Sequence, residues 1–162
     1  MVRKAILMLS PVAVLAVSFA LAQIDQTASF PKEFRKWAHV KSVLVGPQSI
    51  AFPTEGGIHH IYANDKALVG YDFGKFPVGS VIVYDLLETK EVAGNTLEGQ
   101  TRRVDVMIKQ SERYASTGGW EFMTFSGNDQ TNGNLTAERQ ATCAGCHAHR
   151  KDHDFVFSEF RK

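Results

Sequence analysis

The chain predicts a mainly β, α+β fold: a single domain built on an antiparallel sheet, with a few short helices at its edges. Three observations carry that prediction. Several short stretches alternate apolar and polar side chains or are rich in β-branched and aromatic residues; Gly, Pro, Asn and Asp set them apart; and helical periodicity is confined to brief segments.

Taken in order, residues 31–39 come first. Phe30, Phe34, Trp37 and Ala38 fall at i, i+4, i+7 and i+8 around a proline suited to a first helical turn, which predicts a short amphipathic helix whose stripe joins the core. Residues 42–45 and 58–63 read as strands, the second introduced by Gly56-Gly57. Asn64 and Asp65 can cap a helix running to about Tyr71, which Gly74 and Pro77 end. Residues 78–87 make the strongest strand, rich in β-branched side chains and closed by the polar turn Glu88-Thr89-Lys90-Glu91.

A loop carrying Gly94, Asn95 and Gly99 follows. Residues 102–108 then put Val104, Val106 and Ile108 on one face and Arg103, Asp105 and Met107 on the other, the pattern of a half-buried strand. Residues 111–116 predict a helical turn broken by Gly118-Gly119, and residues 120–125 alternate aromatics as a further strand. A Gly/Asn-rich loop spans residues 126–134, a helix residues 135–142, and a last aromatic strand residues 154–160.

The 162 residues carry 18 Lys and Arg against 17 Asp and Glu, a formal charge of +1, with the two signs interleaved. That is an ordinary solvated surface, and no nucleic-acid partner is expected. Residues 1–22 have the parts of a secretory signal peptide: basic Arg3 and Lys4, an apolar stretch, and an Ala20-Leu21-Ala22 ending. A retained membrane anchor is the alternative. With the signal removed, residues 23–162 form the expected domain, in the periplasm and free of the membrane.

The chemistry concentrates in Cys143-Ala144-Gly145-Cys146-His147. A Cys-x-x-Cys-His run is the attachment site of haem c: two sulfurs bond the vinyl groups of one porphyrin, and the following histidine becomes the proximal iron ligand. A thiol-redox pair or half a zinc site would share the Cys-x-x-Cys spacing. These are the only two cysteines, however, so a zinc site would need distant histidines, and no βαβ setting for a thioredoxin-like motif is present.

Beyond this motif, three blocks stand out. They are Phe30-Pro31-Lys32-Glu33-Phe34-Arg35-Lys36-Trp37, then Gly56-Gly57-Ile58-His59-His60-Ile61-Tyr62-Ala63-Asn64, then Gly74-Lys75-Phe76-Pro77-Val78-Gly79-Ser80-Val81-Ile82-Val83. With the haem motif and the closing Asp154-Phe155-Val156-Phe157-Ser158-Glu159-Phe160, they resemble the cytochrome P-460 family, which includes the β-sheet cytochromes c′ (cytochrome c′-beta). The resemblance spans nearly all of residues 23–162. It implies a homodimeric antiparallel β domain with one covalently attached haem c, its iron held by His147 and open on the other side to small diatomic or N-oxide ligands.

The enzymatic members of that family oxidise hydroxylamine and carry an extra link from a lysine to the haem. An ungapped alignment puts Tyr84 at that lysine's position, and neither Lys75 nor Lys90 replaces it without a change of register. Tyr84 is therefore a core aromatic, a wall of the haem pocket, or an iron-ligating phenolate. In the gas-binding members a phenylalanine-lined, apolar distal side favours NO and CO. Phe52, Phe73 and Phe76 are the candidates here, with Phe52 named first. His59 or His60 as a sixth ligand would turn the function toward electron transfer with a periplasmic partner; His39, His149 and His153 are expected elsewhere. The resulting expectations are NO binding, sensing or scavenging; alternatively hydroxylamine or NO oxidation, with Glu121 or Glu138 as a proton-handling carboxylate; or simple electron transfer.

Overall fold

Five antiparallel strands lie in sequence order across one sheet, as the computed structural model shows: β1 (Ala38–Val45), β2 (Gly57–Ala63), β3 (Val81–Val92), β4 (Asn95–Lys109) and β5 (Trp120–Ser126). Three helices join them, α1 (Phe52–Glu55), α2 (Asp65–Phe73) and α3 (Ala137–His147), so the domain is α+β and mainly β. The structure describes residues 29–110, 112–133 and 135–161; the expected signal peptide, residues 1–22, lies outside them. Among the described residues no helix is long and apolar enough to cross a membrane.

Register divides the side chains between two faces. On one face Ile61, Tyr84, Asp105 and Thr124 form a row across β2 to β5, beside a second row of Ala63, Ile82, Met107 and Phe122. On the other face the rows are Tyr62, Val83, Val106, Met123 and His60, Asp85, Val104, Phe125. Adjacent strand residues point opposite ways, so each face builds its own apolar cluster.

The second face is covered by the N-terminal segment. Phe34 is 2% exposed and packs with Phe30 and Trp37 against Val83, Val104 and Phe125, and burying such a side chain contributes about 2 kcal/mol. Arg35 forks onto the buried Asp85 at 2.7 and 2.9 Å, fixing that segment to β3. The helix expected over residues 31–39 is only a 3₁₀ turn, Phe34–Lys36. Glu33 enters it in the left-handed region without a side-chain cap, and from Ala38 the chain is drawn into the ladder with β2. Tertiary pairing outweighs local periodicity there.

The helix after β2 forms as its cap residues predict. Asn64 accepts from the Ala67 amide at 2.9 Å, and also bonds the Val81 amide and the Gly79 carbonyl, so one side chain starts α2 and ties it to β3. Gly74 ends the helix in the left-handed conformation.

Two further expectations fail. Residues 88–91 are not a turn: β3 runs on to Val92, pairs with residues 95–98, and reverses at Ala93-Gly94, both at positive φ as a two-residue hairpin needs. This ribbon lies largely exposed, so no apolar alternation marks it. Residues 154–160 join no ladder: Asp154 and Phe155 form a turn at positive φ, and residues 156–160 pair with no strand. The Gln140 side chain of α3 bonds both the amide and the carbonyl of Phe122 on the edge strand β5, occupying positions a sixth strand would use.

Candidate functional site

Helix α3 starts at Thr136, whose hydroxyl caps the Arg139 amide, and ends on the motif histidine. Cys143, Cys146 and His147 stand at i, i+3 and i+4, so one helix face presents all three. That face closes a cavity of about 540 Å³ between α3, the C-terminal segment and the first sheet face, within the range of pockets that enclose large organic ligands.

The imidazole of His147 is held by one hydrogen bond and two aromatic rings. Its Nδ1–H donates to the Phe155 carbonyl at 2.7 Å, and the ring lies between Phe122 and Phe157 at centroid distances of 5.0 and 5.1 Å. A carbonyl only accepts, so the proton sits on Nδ1 and Nε2 keeps its lone pair. Burial pushes the imidazole pKa below its ordinary value, against the Phe155 carbonyl and the charge of Asp105, and so favours the neutral form that binds metals.

Both cysteines are free thiols. Burial, then the Asp105 charge, pushes the Cys143 thiol up. A reactive redox cysteine needs the opposite shift, so this environment weighs against the thiol-redox reading. Two thiols and a neutral imidazole on one wall of a cavity this size fit a haem held by two thioethers and one axial nitrogen. Arg139 also lines the cavity and offers a cation for the porphyrin carboxylates.

The sheet wall is less apolar than expected. Tyr84 lines it and donates to Glu55 at 2.8 Å, while His59 bonds the same phenol oxygen. Arg103 joins Glu55 at 2.8 and 3.0 Å to Asp105 at 2.7 Å, and Thr124 donates to Asp105 at 2.8 Å. Burial and the Glu55 carboxylate push the Tyr84 pKa far above that of a free phenol, so Tyr84 is a neutral donor to Glu55 in this wall. Burial alone would raise Glu55, but the bonds from Tyr84 and Arg103 outweigh it and hold the carboxyl below the usual range. Asp105 goes the other way, raised because burial prevails over Arg103 and Thr124.

The cavity thus brings together Cys143, Cys146, His147 and Tyr84, but not Phe52. Phe52 opens α1 with 39% of its surface exposed and its ring against Gly56, while Thr54 and Glu55 of the same turn line the cavity. Of that turn it is the Glu55 side chain that joins the polar wall, through its bonds to Tyr84 and Arg103. Phe73 is exposed, and Phe76 packs into the core against Tyr71 and Trp120.

None of the other histidines lines the cavity. His59 is committed to Tyr84 and the Glu55 carbonyl; His60, on the opposite face, bonds Ser42 and Glu98. Glu121 bonds Gln110 and Tyr114, and Glu138 lies in the first turn of α3 outside the cavity lining. The carboxylates at the site are Glu55 and Asp105, which sequence reasoning missed. The signal available for Asp105 was its place on the polar side of a strand whose two faces are both covered.

A family model described as Cytochrome P460 matches residues 31–158. No curated protein matches the chain.

Proposed function

Since the chain belongs to the cytochrome P460 family, we propose that it is a mono-haem c-type cytochrome whose iron, held by His147, takes small ligands such as NO at its other side. Cys143 and Cys146 would hold the haem covalently. The observation that carries this reading is the hydrogen bond from His147 Nδ1 to the Phe155 carbonyl, which leaves Nε2 of a neutral imidazole as the ligand beside two free thiols.

When bound, the haem supplies a one-electron couple and an open coordination position. The protein supplies the surroundings. Ile61, Ile82, Met107 and Phe122 give the cavity an apolar lining that limits water, while the Arg103 guanidinium, whose Nε and Nη2 are taken by Asp105 and Glu55, keeps Nη1 as a donor for an oxygen or nitrogen of a bound ligand. The commitment of His59 to Tyr84 and Glu55 weighs against a six-coordinate electron carrier.

The polar wall also favours a second reading, oxidation of hydroxylamine or NO. Such chemistry releases protons, and Glu55 and Asp105 are carboxylates placed to accept them, Asp105 with a pKa moved toward neutrality. The basic, apolar and small-residue pattern of residues 1–22 supports export to the periplasm, where a homodimer and, for the oxidase, an electron-accepting partner complete the reading.

Optical spectra of the purified protein, ferric and ferrous, before and after NO and hydroxylamine, test it. A high-spin c-haem that binds NO and leaves hydroxylamine unchanged supports ligand binding; a strongly red-shifted ferrous band with hydroxylamine consumption supports the oxidase. A low-spin spectrum indifferent to both rejects each. Haem still covalently attached in Cys143→Ser/Cys146→Ser would refute the attachment site.

A further inference from the structure

The carbonyl that holds His147 belongs to an unusual stretch of backbone. Asp154 and Phe155 are consecutive non-glycine residues at φ 52° and 69°, both in the left-handed region that L side chains avoid. Such a pair persists only where its surroundings overdetermine it.

Here they do, through Asp154. Its carboxylate oxygens accept from Lys109 Nζ at 2.8 and 2.9 Å, and Oδ2 also accepts from the Phe76 amide at 2.9 Å. Its own carbonyl accepts from Trp120 Nε1 at 2.7 Å. Lys109 in turn donates to the Gly118 carbonyl at 2.7 Å and lies 4.9 Å from the centre of the Trp120 ring. The lysine and aspartate side chains are 12% and 8% exposed. Three elements of the fold, β4, β5 and the loop after α2, therefore grip one residue, and the residue after it turns its carbonyl to His147.

We infer that the Lys109–Asp154 ion pair is a positioning device for the haem ligand: it holds the left-handed Asp154-Phe155 pair so that the Phe155 carbonyl stays on His147 Nδ1, and thereby sets how strongly His147 donates to the iron. This rests on the proposed haem ligation by His147. A strong acceptor on Nδ1–H makes the imidazole a more basic ligand and favours ferric over ferrous iron. Loosening the pair frees the backbone to leave the left-handed region, and the bond to Nδ1 lengthens.

The test uses haem-loaded Lys109→Met and Lys109→Gln, the second retaining a neutral donor. The reduction potential and the ferrous iron–histidine stretching frequency are read beside thermal stability. The expected result is a higher potential and a lower stretching frequency, larger for Met than for Gln. Variants that lose stability yet keep the wild-type potential and frequency overturn the inference, because the pair then acts only on the fold. Should a variant fail to load haem, nitrogen-15 spectra of its His147 serve instead: loss of the fixed Nδ1–H tautomer is expected, and its persistence overturns the inference. Wild-type protein without covalent haem would end the proposed function itself; covalent haem with an indifferent potential would end this inference alone.

Discussion

Tyr84 and Asp105 are register partners across the β3–β4 ladder, and both line the cavity. Each is tied to a further charged group, Tyr84 to Glu55 and Asp105 to Arg103, and Arg103 closes the chain by bonding Glu55 as well. The polar wall is thus one connected network, and its members respond together to change.

Tyr84→Phe keeps the ring and removes one hydroxyl. Glu55 loses a donor and His59 a partner, so the variant should be about 1–2 kcal/mol less stable by urea denaturation at neutral pH. Stability equal to wild type would mean that the hydroxyl contributes nothing to the wall.

Glu55 gives a pH prediction. Its carboxyl lies below the usual range in the fold, because the bonds from Tyr84 and Arg103 overcome burial, while in the unfolded chain it titrates near ~4.3. A depressed carboxylate adds stability above its unfolded pKa and loses it as the pH falls through the folded value. The stability gap between wild type and Glu55→Gln should therefore be full at neutral pH and close on acidification below about pH 4. A gap that widens in acid would reverse the sign and reject the argument.

Arg35 and Asp85 test the other face. Asp85 is 1% exposed and its partner is half exposed, so Arg35→Ala strands a buried carboxylate and should cost about 2 kcal/mol. A double-mutant cycle with Asp85→Asn should give a coupling of about 1 kcal/mol or more, and additivity would show that the fork does not hold the N-terminal segment.

Gly57 opens β2 at φ 129°, and a Cβ there would stand 2.1 Å from the Leu87 carbonyl oxygen. Gly57→Ala should cost about 2–3 kcal/mol through strain and a forced ladder shift, measured by thermal unfolding. A cost under about 0.5 kcal/mol would show that the β2–β3 pairing yields easily.

Much of the molecule is legible without coordinates. The strand cores around residues 58–63, 81–87, 102–108 and 120–125 follow from alternation, the start and stop of α2 from Asn64 and Gly74, and the attachment residues from spacing that one porphyrin demands. These are local facts, carried by residues adjacent in sequence. The first helix, the β3–β4 ribbon and the last strand were misjudged for the same reason in reverse. Phe34 packs where a helix stripe would, the ribbon has no core to pattern it, and residues 154–160 alternate apolar side chains without a strand edge to receive them.

What the sequence determined by itself is the sheet, the family resemblance and the triad of Cys143, Cys146 and His147. Tertiary structure alone decided which groups share the cavity with them. Glu55 comes from α1, Tyr84 from β3, Arg103 and Asp105 from β4, and the Phe155 carbonyl from a backbone turned left-handed by a salt bridge to Lys109. No spacing announces such partners, because strand register and the packing of distant segments bring them together, and a backbone carbonyl leaves no mark in a sequence of side chains.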